Sequence, residues 1–318
     1  MSLHSLRSDL AMAGAAGFSA VEELDEANRR MGWDIEYRQL ERGPFSGRFV
    51  MVESQQAVFS LEWLSRRSQV LVESPPGGIS FVLPVTGGRP CRAGGSQAAD
   101  GDVLLFPSGS AMEIVTWGDA GDRGLTVSQE EFVDLVLALF PGARPDLLNG
   151  AAVLPGGTHC STPIHEEISR VVTEGSTDPE ALSLLLARLA ALLVRADGRE
   201  LRDDLRENGT SSRVARRSRD YIESHLTEPI RMEDLCRSVG TGMRTVQRAF
   251  SAETGMPPLQ YIKARRLNVA RRRLAAGDPR STSVTEIART SGFTHFGRFS
   301  VDYRAHFGES PRETLAAR

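Results

Sequence analysis

At 318 residues, with 40% hydrophobic and 25% charged side chains, the chain is long enough for two domains and too rich in apolar residues for a disordered tail or a fibrous rod. Three cysteines without CxxC spacing argue against a disulfide framework or a zinc finger and suit a reducing compartment, so we expect a cytoplasmic protein. The longest apolar stretch, 181–194, is too short to cross a membrane, so we expect no membrane partner. Residues 211–318 hold 20 Lys and Arg against 11 Asp and Glu, a net charge of +9 that leaves −12 for residues 1–210, which indicates that only the C-terminal part meets a polyanion.

The N-terminal part is predicted to be a short helix followed by antiparallel strands. The helix is expected over 21–31, and from Asp34 to Val127 apolar residues alternate in short runs between Gly- and Pro-rich turns. We interpret the segments SGRFV and GDRGL as turns. Short strands with such turns are typical of a sandwich or barrel that can enclose a small ligand. The predicted strand runs are FVMV, VFSLEW, SQVLV, ISFVLPV, DVLLF and MEIV.

A helical stretch follows these strands. Ser128 is expected to cap a helix over SQEEFVDLVLALF, and a second helix is predicted over 179–205. Two interpretations of a leucine stripe on this second helix stay open, namely packing on the chain's own sheet and a subunit interface. The stripe consists of Leu182, Leu185, Leu186, Leu189, Leu192 and Leu193.

The chain after Asn208 contains an internal repeat with an offset of 52 positions that grows to 53 past a turn. Each copy has a small residue, a Gly turn and then an apolar-faced helix ending in Gly and Pro, which is the pattern of a helix-turn-helix unit. The outer face of the second helix is left free to read DNA. The matched pairs are Asp234 and Glu286, Leu235 and Ile287, Cys236 and Ala288, Gly240 and Gly292, Val246 and Phe299, Phe250 and Tyr303, Gly255 and Gly308, and Pro258 and Pro311.

Residues that typically begin or end helices lie where this repeat predicts helix ends. Ser283 followed by Glu286 predicts a capping box, and Gly277 is expected to end a joining helix over 259–276. Some of the five arginines on the joining helix are expected to face solvent or phosphate, because a helix cannot bury five guanidinium groups without partners. They are Arg265, Arg266, Arg271, Arg272 and Arg273.

Residues 214–315 resemble the DNA-binding domain of the AraC/XylS family of bacterial transcription regulators. The segments that carry the resemblance are EDLCRSVGTGMRTVQRAFSAETGMPPLQYIKARRLNVARRRL and TEIARTSGFTHFGRFSVDYRAHFGESP. The resemblance implies two helix-turn-helix units on double-stranded DNA and activation by recruiting RNA polymerase, with repression left open. The preceding portion is more loosely similar to the family's cupin-like sensor domains, through GDVLLFPSGSAMEIV.

Candidate DNA-binding residues lie on the second helix of the first copy. Arg244, Gln247 and Arg248 share one face, and they match the positions from which the family's recognition helix touches DNA. Arg pairs bidentately with guanine and Gln with adenine. Thr245 and Arg231 are better suited to phosphate.

The second copy departs from this pattern. Its offset places Gly297, Ser300 and Val301 where the first copy has its reading side chains, and Asp302 adds a charge that phosphate would repel. We therefore predict that base specificity is concentrated under the first unit and that the second supplies mostly backbone contacts. The residues left for DNA contact in the second copy are His295, Phe296, Arg298, Ser300 and Arg304.

The sequence gives no sign of catalysis. It contains no GxSxG, Walker or GxGxxG motif, and none of its six histidines lies between Asp34 and Val127, where a metal-dependent cupin needs ligands. A cluster of His159, Cys160 and His165 with Glu166 and Glu167 admits a metal site, but we favour a structural role. We expect no enzyme activity, no cofactor and no metal.

The chain is thus predicted to be α+β in three parts. These are a cupin-like β-barrel or jelly-roll sensor over 1–172, a helical dimerisation or linker segment over 173–207, and an all-α DNA-binding domain over 208–318. The expected function is a homodimeric, sequence-specific transcription regulator controlled by a small-molecule effector. The alternatives are a constitutive dimeric DNA binder and a cupin-type enzyme fused to a DNA-binding domain. Alternation does not tell which face of the strands points into the effector pocket, and for each candidate lining residue we favour a place in the core or at the surface. The candidates are Arg48, Phe49, Glu62, Trp63 and Phe81.

Overall fold

A computed structural model of the chain describes residues 2–30, 32–144, 148, 150–196 and 210–317. It divides into two compact units, one formed by residues 1–37 and 46–207 and the other by residues 38–45 and 208–318. Of the predicted linker segment, residues 197–207 lie outside the described part. Within that part, no helix is long and apolar enough to cross a membrane.

Two antiparallel sheets form the framework of the first unit. The strands are β1 (Ala16–Phe18), β2 (Asp34–Gln39), β3 (Gly47–Glu53), β4 (Ala57–Leu64), β5 (Ser68–Glu73), β6 (Gly78–Val85), β7 (Cys91–Ala93), β8 (Ser96–Ala98), β9 (Val103–Phe106), β10 (Ala111–Val115), β11 (Ala120–Ser128) and β12 (Ala152–Leu154). Seven of them pair in the order β1-β3-β4-β11-β6-β9-β12, and five pair in the order β2-β5-β10-β7-β8.

The sheets are not closed into a barrel, so the barrel form of the prediction is wrong. Strands β1 and β12 lie at opposite edges of the seven-stranded sheet, and β2 and β8 lie at the edges of the other. Both predicted turns are also wrong. Residues 47–50 of SGRFV lie within β3, and GDRGL lies inside β11, which pairs with β4 on one side and β6 on the other.

Close packing explains why β11 looks like a turn in the sequence. A Cβ atom at Gly121 would clash with the backbone carbonyl of Glu62 and with Leu6, and one at Gly124 would clash with the hydroxyl of Ser60. The two glycines are therefore required by neighbours that approach the strand closely, and not by a change of chain direction.

Helices cover one face of the seven-stranded sheet. Among the described residues of this unit, the helices are α1 (Leu3–Met12), α2 (Val21–Arg29), α3 (Gln129–Leu139), α4 (Gly157–Glu174) and α5 (Pro179–Arg195). Ser128 caps α3 as predicted, because its Oγ accepts the backbone N–H of Glu131 at 3.4 Å. Alternate residues of β4 and β6 point toward α1, α3, α4 and α5 and form one hydrophobic core with them.

The leucine stripe of α5 belongs to this core. Leu186 is partly buried and the other five leucines of the stripe are buried in contact with the core cluster. Packing within its own unit is therefore the interpretation that the structure favours. The apolar side chain that α5 exposes is Leu184.

A buried ion pair lies beneath α1. The side chain of Arg123, on β11, is 0% exposed, and its Nη2 donates to Asp9 Oδ2 at 2.7 Å. Ser169 links the two charges, because its hydroxyl accepts from Arg123 Nε at 2.7 Å and donates to Asp9 Oδ2 at 2.9 Å. These hydrogen bonds offset part of the cost of removing both charges from water, while Arg123 Nη1 is buried without a hydrogen-bond partner among the described residues.

The C-terminal unit is helical. Its helices are α6 (Thr210–Ser224), α7 (Met232–Val239), α8 (Met243–Thr254), α9 (Pro258–Ala275), α10 (Val284–Thr290), α11 (Phe296–Phe307) and α12 (Pro311–Ala316). The prediction of two helix-turn-helix units is confirmed, since α7 with α8 and α10 with α11 are the two copies and α9 joins them. Of the predicted capping box at α10, one half forms: Ser283 Oγ accepts from the N–H of Glu286, whose carboxylate binds Arg289 instead.

Residues 38–45 are part of this unit. The backbone N–H of Gln39 donates to Asn268 Oδ1 at 3.0 Å, and Asn268 Nδ2 donates back to Gln39 O at 2.8 Å. The side chain of Gln39 donates to the carbonyl oxygen of His306 at 2.8 Å. These residues are buried, so the short segment is an integral part of the helical unit.

The arginines of α9 are more fully partnered than the sequence indicates. Arg265 is buried and donates through Nε and Nη2 to the two carboxylate oxygens of Glu223, each at 2.7 Å. Arg271 is buried as well, with Nη1 2.6 Å from Glu309 Oε1 and its guanidinium 4.7 Å from the ring of Phe307. The expectation that some of the five face solvent holds for Arg273, which is exposed.

Candidate DNA-binding surface and sensor cavity

The second helix of the first helix-turn-helix unit, α8, begins directly after a glycine turn. Gly240 ends α7 in the left-handed region, with φ of +70°, and Gly242 is the N-cap of α8. A side chain with a Cβ is strained at that φ, which is why glycine is used there. Val246 and Phe250 are fully buried on the inner face of α8, as predicted.

The outer face of α8 presents polar side chains. Three of these side chains are exposed, and none of the three forms a hydrogen bond or ion pair with another described residue. They belong to Arg244, Gln247 and Arg248. Their hydrogen-bond donors are therefore all available to an external ligand. Thr245 is half-buried beside them, and Arg231 is exposed at the N-cap of α7.

The second helix of the second helix-turn-helix unit, α11, presents a different surface. The exposed residues at its start include Phe296, which is 39% exposed, and Val301, which is 64% exposed. Phe299 and Tyr303 fill the buried face. The remaining candidates of this copy, His295, Arg298, Ser300 and Arg304, are all exposed.

Charged side chains of α11 form ion pairs within the C-terminal unit. Asp302 is only 8% exposed and lies 2.5 Å from Lys263 Nζ, and it also accepts from Arg298 Nε at 3.3 Å. The carboxylate of Asp302 is thus buried and paired with two cationic side chains, and the expectation that it repels phosphate stays a prediction. Arg304 lies 3.9 Å from Glu313. The arginines of α11 thus have acidic neighbours, which the reading arginines of α8 do not.

Comparisons with known proteins match this part of the chain. A family model described as "Helix-turn-helix domain" matches residues 235–317. The "Probable thc operon regulatory protein" of Rhodococcus erythropolis is 39% identical over 102 residues, which cover 32% of this chain and 31% of that protein. A solved structure of "a probable AraC family transcriptional regulator" from Rhodopseudomonas palustris is 36% identical, covers 33% of this chain and 96% of that chain, and has a TM-score of 0.31. The chain thus contains a helix-turn-helix domain over residues 235–317, which is similar to proteins of the AraC family.

The match to the curated relatives extends over about a third of this chain. A further relative, "XylDLEGF operon transcriptional activator 3" of Pseudomonas putida, is 38% identical over 98 residues, covering 31% of this chain and 30% of that protein. The chain thus spans about a third of the length of the curated relatives it matches. These relatives are regulators of transcription.

A cavity of about 100 Å³ lies between the two sheets of the first unit. Alternation along the strands places the cavity residues opposite those that face the helices: on β4, for example, Ser60 and Glu62 face the cavity while Phe59 and Leu61 join the core. The polar and charged groups at its wall are Asn28, Tyr37, Ser60, Glu62, Thr86, Cys91, Thr116, Asp122 and Thr126.

Two of the five pocket candidates line this cavity, namely Phe49 and Glu62. Arg48 is exposed, Phe81 is buried in the helix-covered core, and Trp63 packs against that core. These three residues lie on the opposite face of the sheet, in the core or at the surface, which is the position favoured for them from the sequence.

Most residues that line the cavity were not among the candidates, and two of them, Tyr37 and Asp122, adjoin Glu62. The hydroxyl of Tyr37 donates a short hydrogen bond to Glu62, and Asp122 is the register partner of Glu62 on the neighbouring strand. The signal for Tyr37 was available in the alternation of DIEYRQ. Asp122 was hidden because GDRGL was interpreted as a turn.

The residues proposed for a metal cluster do not converge. Among the described residues no group of three or more His, Cys, Asp or Glu side chains is placed to hold a metal ion. His165 is buried, and burial lowers its pKa to about 3, so it is neutral at physiological pH.

Proposed function

We propose that the protein is a sequence-specific, DNA-binding transcription regulator that reads bases mainly with the outer face of α8. The observation that carries the proposal is that Arg244, Gln247 and Arg248 stand exposed together, without partners among the described residues, on an AraC-type domain. Each well-placed bidentate contact of this kind discriminates between bases by about 1–3 kcal/mol.

The rest of the chain acts as its control module in this proposal. The sensor over 1–172 binds an effector, the segment over 173–207 transmits the change, and the units within 208–318 engage successive major-groove segments about one helical turn apart. The cavity between the sheets supports effector binding. The protein acts in the cytoplasm as a homodimeric activator that recruits RNA polymerase, without catalysing a reaction.

The test is sequencing of genomic fragments bound by the full-length protein, followed by affinity measurements on the preferred site. Arg248→Ala is expected to weaken binding to that site roughly tenfold or more and to relax one base position. Arg280→Ala, which removes the same charge from an exposed turn after α9, is the matched control and is expected to relax no position. Unchanged affinity and selectivity in Arg248→Ala would overturn the assignment of the reading face.

The same assay tests the asymmetry between the two units. Arg298 already has an ion-pair partner in Asp302, so Arg298→Ala is expected to lower affinity for all sequences to a similar extent without relaxing a base position. Loss of selectivity equal to that of Arg248→Ala would show that both units read bases.

A further inference from the structure

The sensor cavity has an apolar wall with one acidic corner. Aromatic and aliphatic side chains from both sheets, among them Trp33, Phe49, Phe106 and Ile114, make up most of its lining. A volume of about 100 Å³ has room for a small organic molecule, since one water needs only about 10–15 Å³. Pockets of this composition use a few polar groups to orient their ligand.

The acidic corner is formed by Glu62 and Asp122. They are register partners on β4 and β11, so their side chains leave the sheet side by side on the cavity face. Glu62 is 6% exposed and accepts the hydroxyl of Tyr37, which in turn accepts from Asn28 Nδ2 at 3.3 Å. The carboxylate of Asp122 receives no hydrogen bond from any described residue.

No cation compensates for this pair inside the cavity. None of the described residues that line it is Lys, Arg or His. Arg123 is adjacent to Asp122 in the chain, but its side chain leaves the other face of β11 and is bonded to Asp9 and Ser169. Burial, and then the charge of Asp122, raise the pKa of Glu62. Burial raises the pKa of Asp122 to about 7 although the charge of Arg123 opposes the shift, as expected for carboxyl groups that have no cation beside them in the cavity.

We infer that the cavity binds a small organic cation, an amidinium or ammonium group on an apolar body, with its N–H donors directed at Glu62 and Asp122. The two carboxylates present unfilled acceptor positions side by side, and the aromatic wall accommodates the apolar body. A ligand with a carboxylate would be repelled by Glu62 and Asp122, and none of the described residues that line the cavity is a cation that could pair with it. The inference rests on the proposed function only in treating this ligand as the effector.

The test uses three nearly isosteric probes with the full-length protein. Benzamidine is the cation, benzamide the neutral analogue and benzoate the anion. Calorimetric titration at pH 8 is expected to show benzamidine binding about 10- to 100-fold more tightly than benzamide, the range for hydrogen bonds to a charged group, and no binding of benzoate.

Two variants locate the site. Asp122→Asn is expected to abolish the preference for benzamidine while benzamide still binds, and Glu62→Gln is expected to reduce it. Asp134→Asn, the same chemical change on the exposed face of α3, is the matched control and is expected to keep the wild-type preference. Equal binding of benzamidine and benzamide, tighter binding of benzoate, no binding of any probe, or an unchanged preference in Asp122→Asn would each overturn the inference.

DNA binding is measured on the same preparations, so the two proposals fail separately. A protein that binds benzamidine but no duplex sequence selectively would refute the regulator and leave the cation site standing. Selective DNA binding without a preference for benzamidine would refute the cation site and leave the regulator standing.

Discussion

Replacing Asp122 with Asn is expected to stabilise the first unit at neutral pH. Burial raises the pKa of this carboxyl from 3.8 to about 7, although Arg123 opposes the shift. Between about pH 4 and pH 7 the unfolded chain is ionised at this position while the folded protein retains its proton. The contribution of this carboxyl to the free energy of unfolding therefore falls as pH rises through this window and is constant above it.

The size of the effect follows from the difference in pKa. Each pKa unit corresponds to about 1.4 kcal/mol, so the unpartnered carboxyl lowers the free energy of unfolding by at most about 4 kcal/mol at pH 8. Because the side chain is partly accessible through the cavity, we expect Asp122→Asn to gain roughly 2–4 kcal/mol at pH 8 and about half of that or less at pH 5. The groups that face Asp122, namely Glu62, Tyr37 and Cys91, are unchanged by the substitution.

Urea unfolding monitored by tryptophan fluorescence measures this gain. All three tryptophans of the chain, Trp33, Trp63 and Trp117, lie in the first unit, so the signal reports on that unit alone. Asp134→Asn serves again as the control and is expected to change stability by less than about 0.5 kcal/mol. An Asp122→Asn protein no more stable than wild type at pH 8, or one with the same gain at pH 5, would refute the reasoning.

Three further substitutions test buried charges. Asp9→Asn leaves the buried guanidinium of Arg123 without its counter-ion and is expected to destabilise the first unit by about 3–5 kcal/mol in the same fluorescence assay, where a loss under about 1 kcal/mol would contradict the pairing. Glu223→Gln removes the charge that holds Arg265, and the C-terminal unit is expected to lose about 2–3 kcal/mol, measured by circular dichroism, to which its helices contribute strongly. Burial lowers the pKa of His306 to about 4, so the folded state resists protonation and stability is lost as pH falls from about 6.5 to about 4, by about 3 kcal/mol. His306→Gln is expected to remove most of that acid-dependent loss, and an identical pH profile for variant and wild type would contradict this account.

The C-terminal unit was largely predictable because its signals are local. Glycine at the turn, apolar residues three or four positions apart and the repeated Gly-Pro ending each act within a few residues, and Gly240, Val246 and Phe250 are placed as predicted. The partners of the α9 arginines were not predictable. Arg265 and Glu223 are 42 positions apart and meet only through the packing of two helices.

The cavity was predictable only in part, for a different reason. Alternation divides a strand into two faces but does not say which face is covered by helices, so Phe81 and Glu62 were equally good candidates. The structure separates them by placing α1, α3, α4 and α5 on one side of the sheet. Asp122 was lost because the glycines beside it, which packing requires, are the same residues that mark a turn.

Strand β11 combines two charges with different outcomes. Asp122 and Arg123 are consecutive, so they project to opposite faces of the same sheet. Arg123 is matched by Asp9 and Ser169 within the unit, whereas Asp122 has no such partner among the described residues. The unmatched charge lowers stability by itself, and a bound cation would offset that loss.

Binding of the cation must therefore depend on pH. Benzamidine remains protonated throughout, but below pH 7 it has to displace the proton on the carboxyl of Asp122 before it pairs with the carboxylate. Each pH unit below the pKa costs about tenfold in affinity, so the Kd is expected to rise up to about 100-fold between pH 7 and pH 5 and to be constant above pH 7.5. In Asp122→Asn the dependence is expected to be weaker, because only Glu62 remains to titrate in the corner. A Kd for wild type that stays constant from pH 5 to pH 8 would show that the cation does not meet this carboxyl.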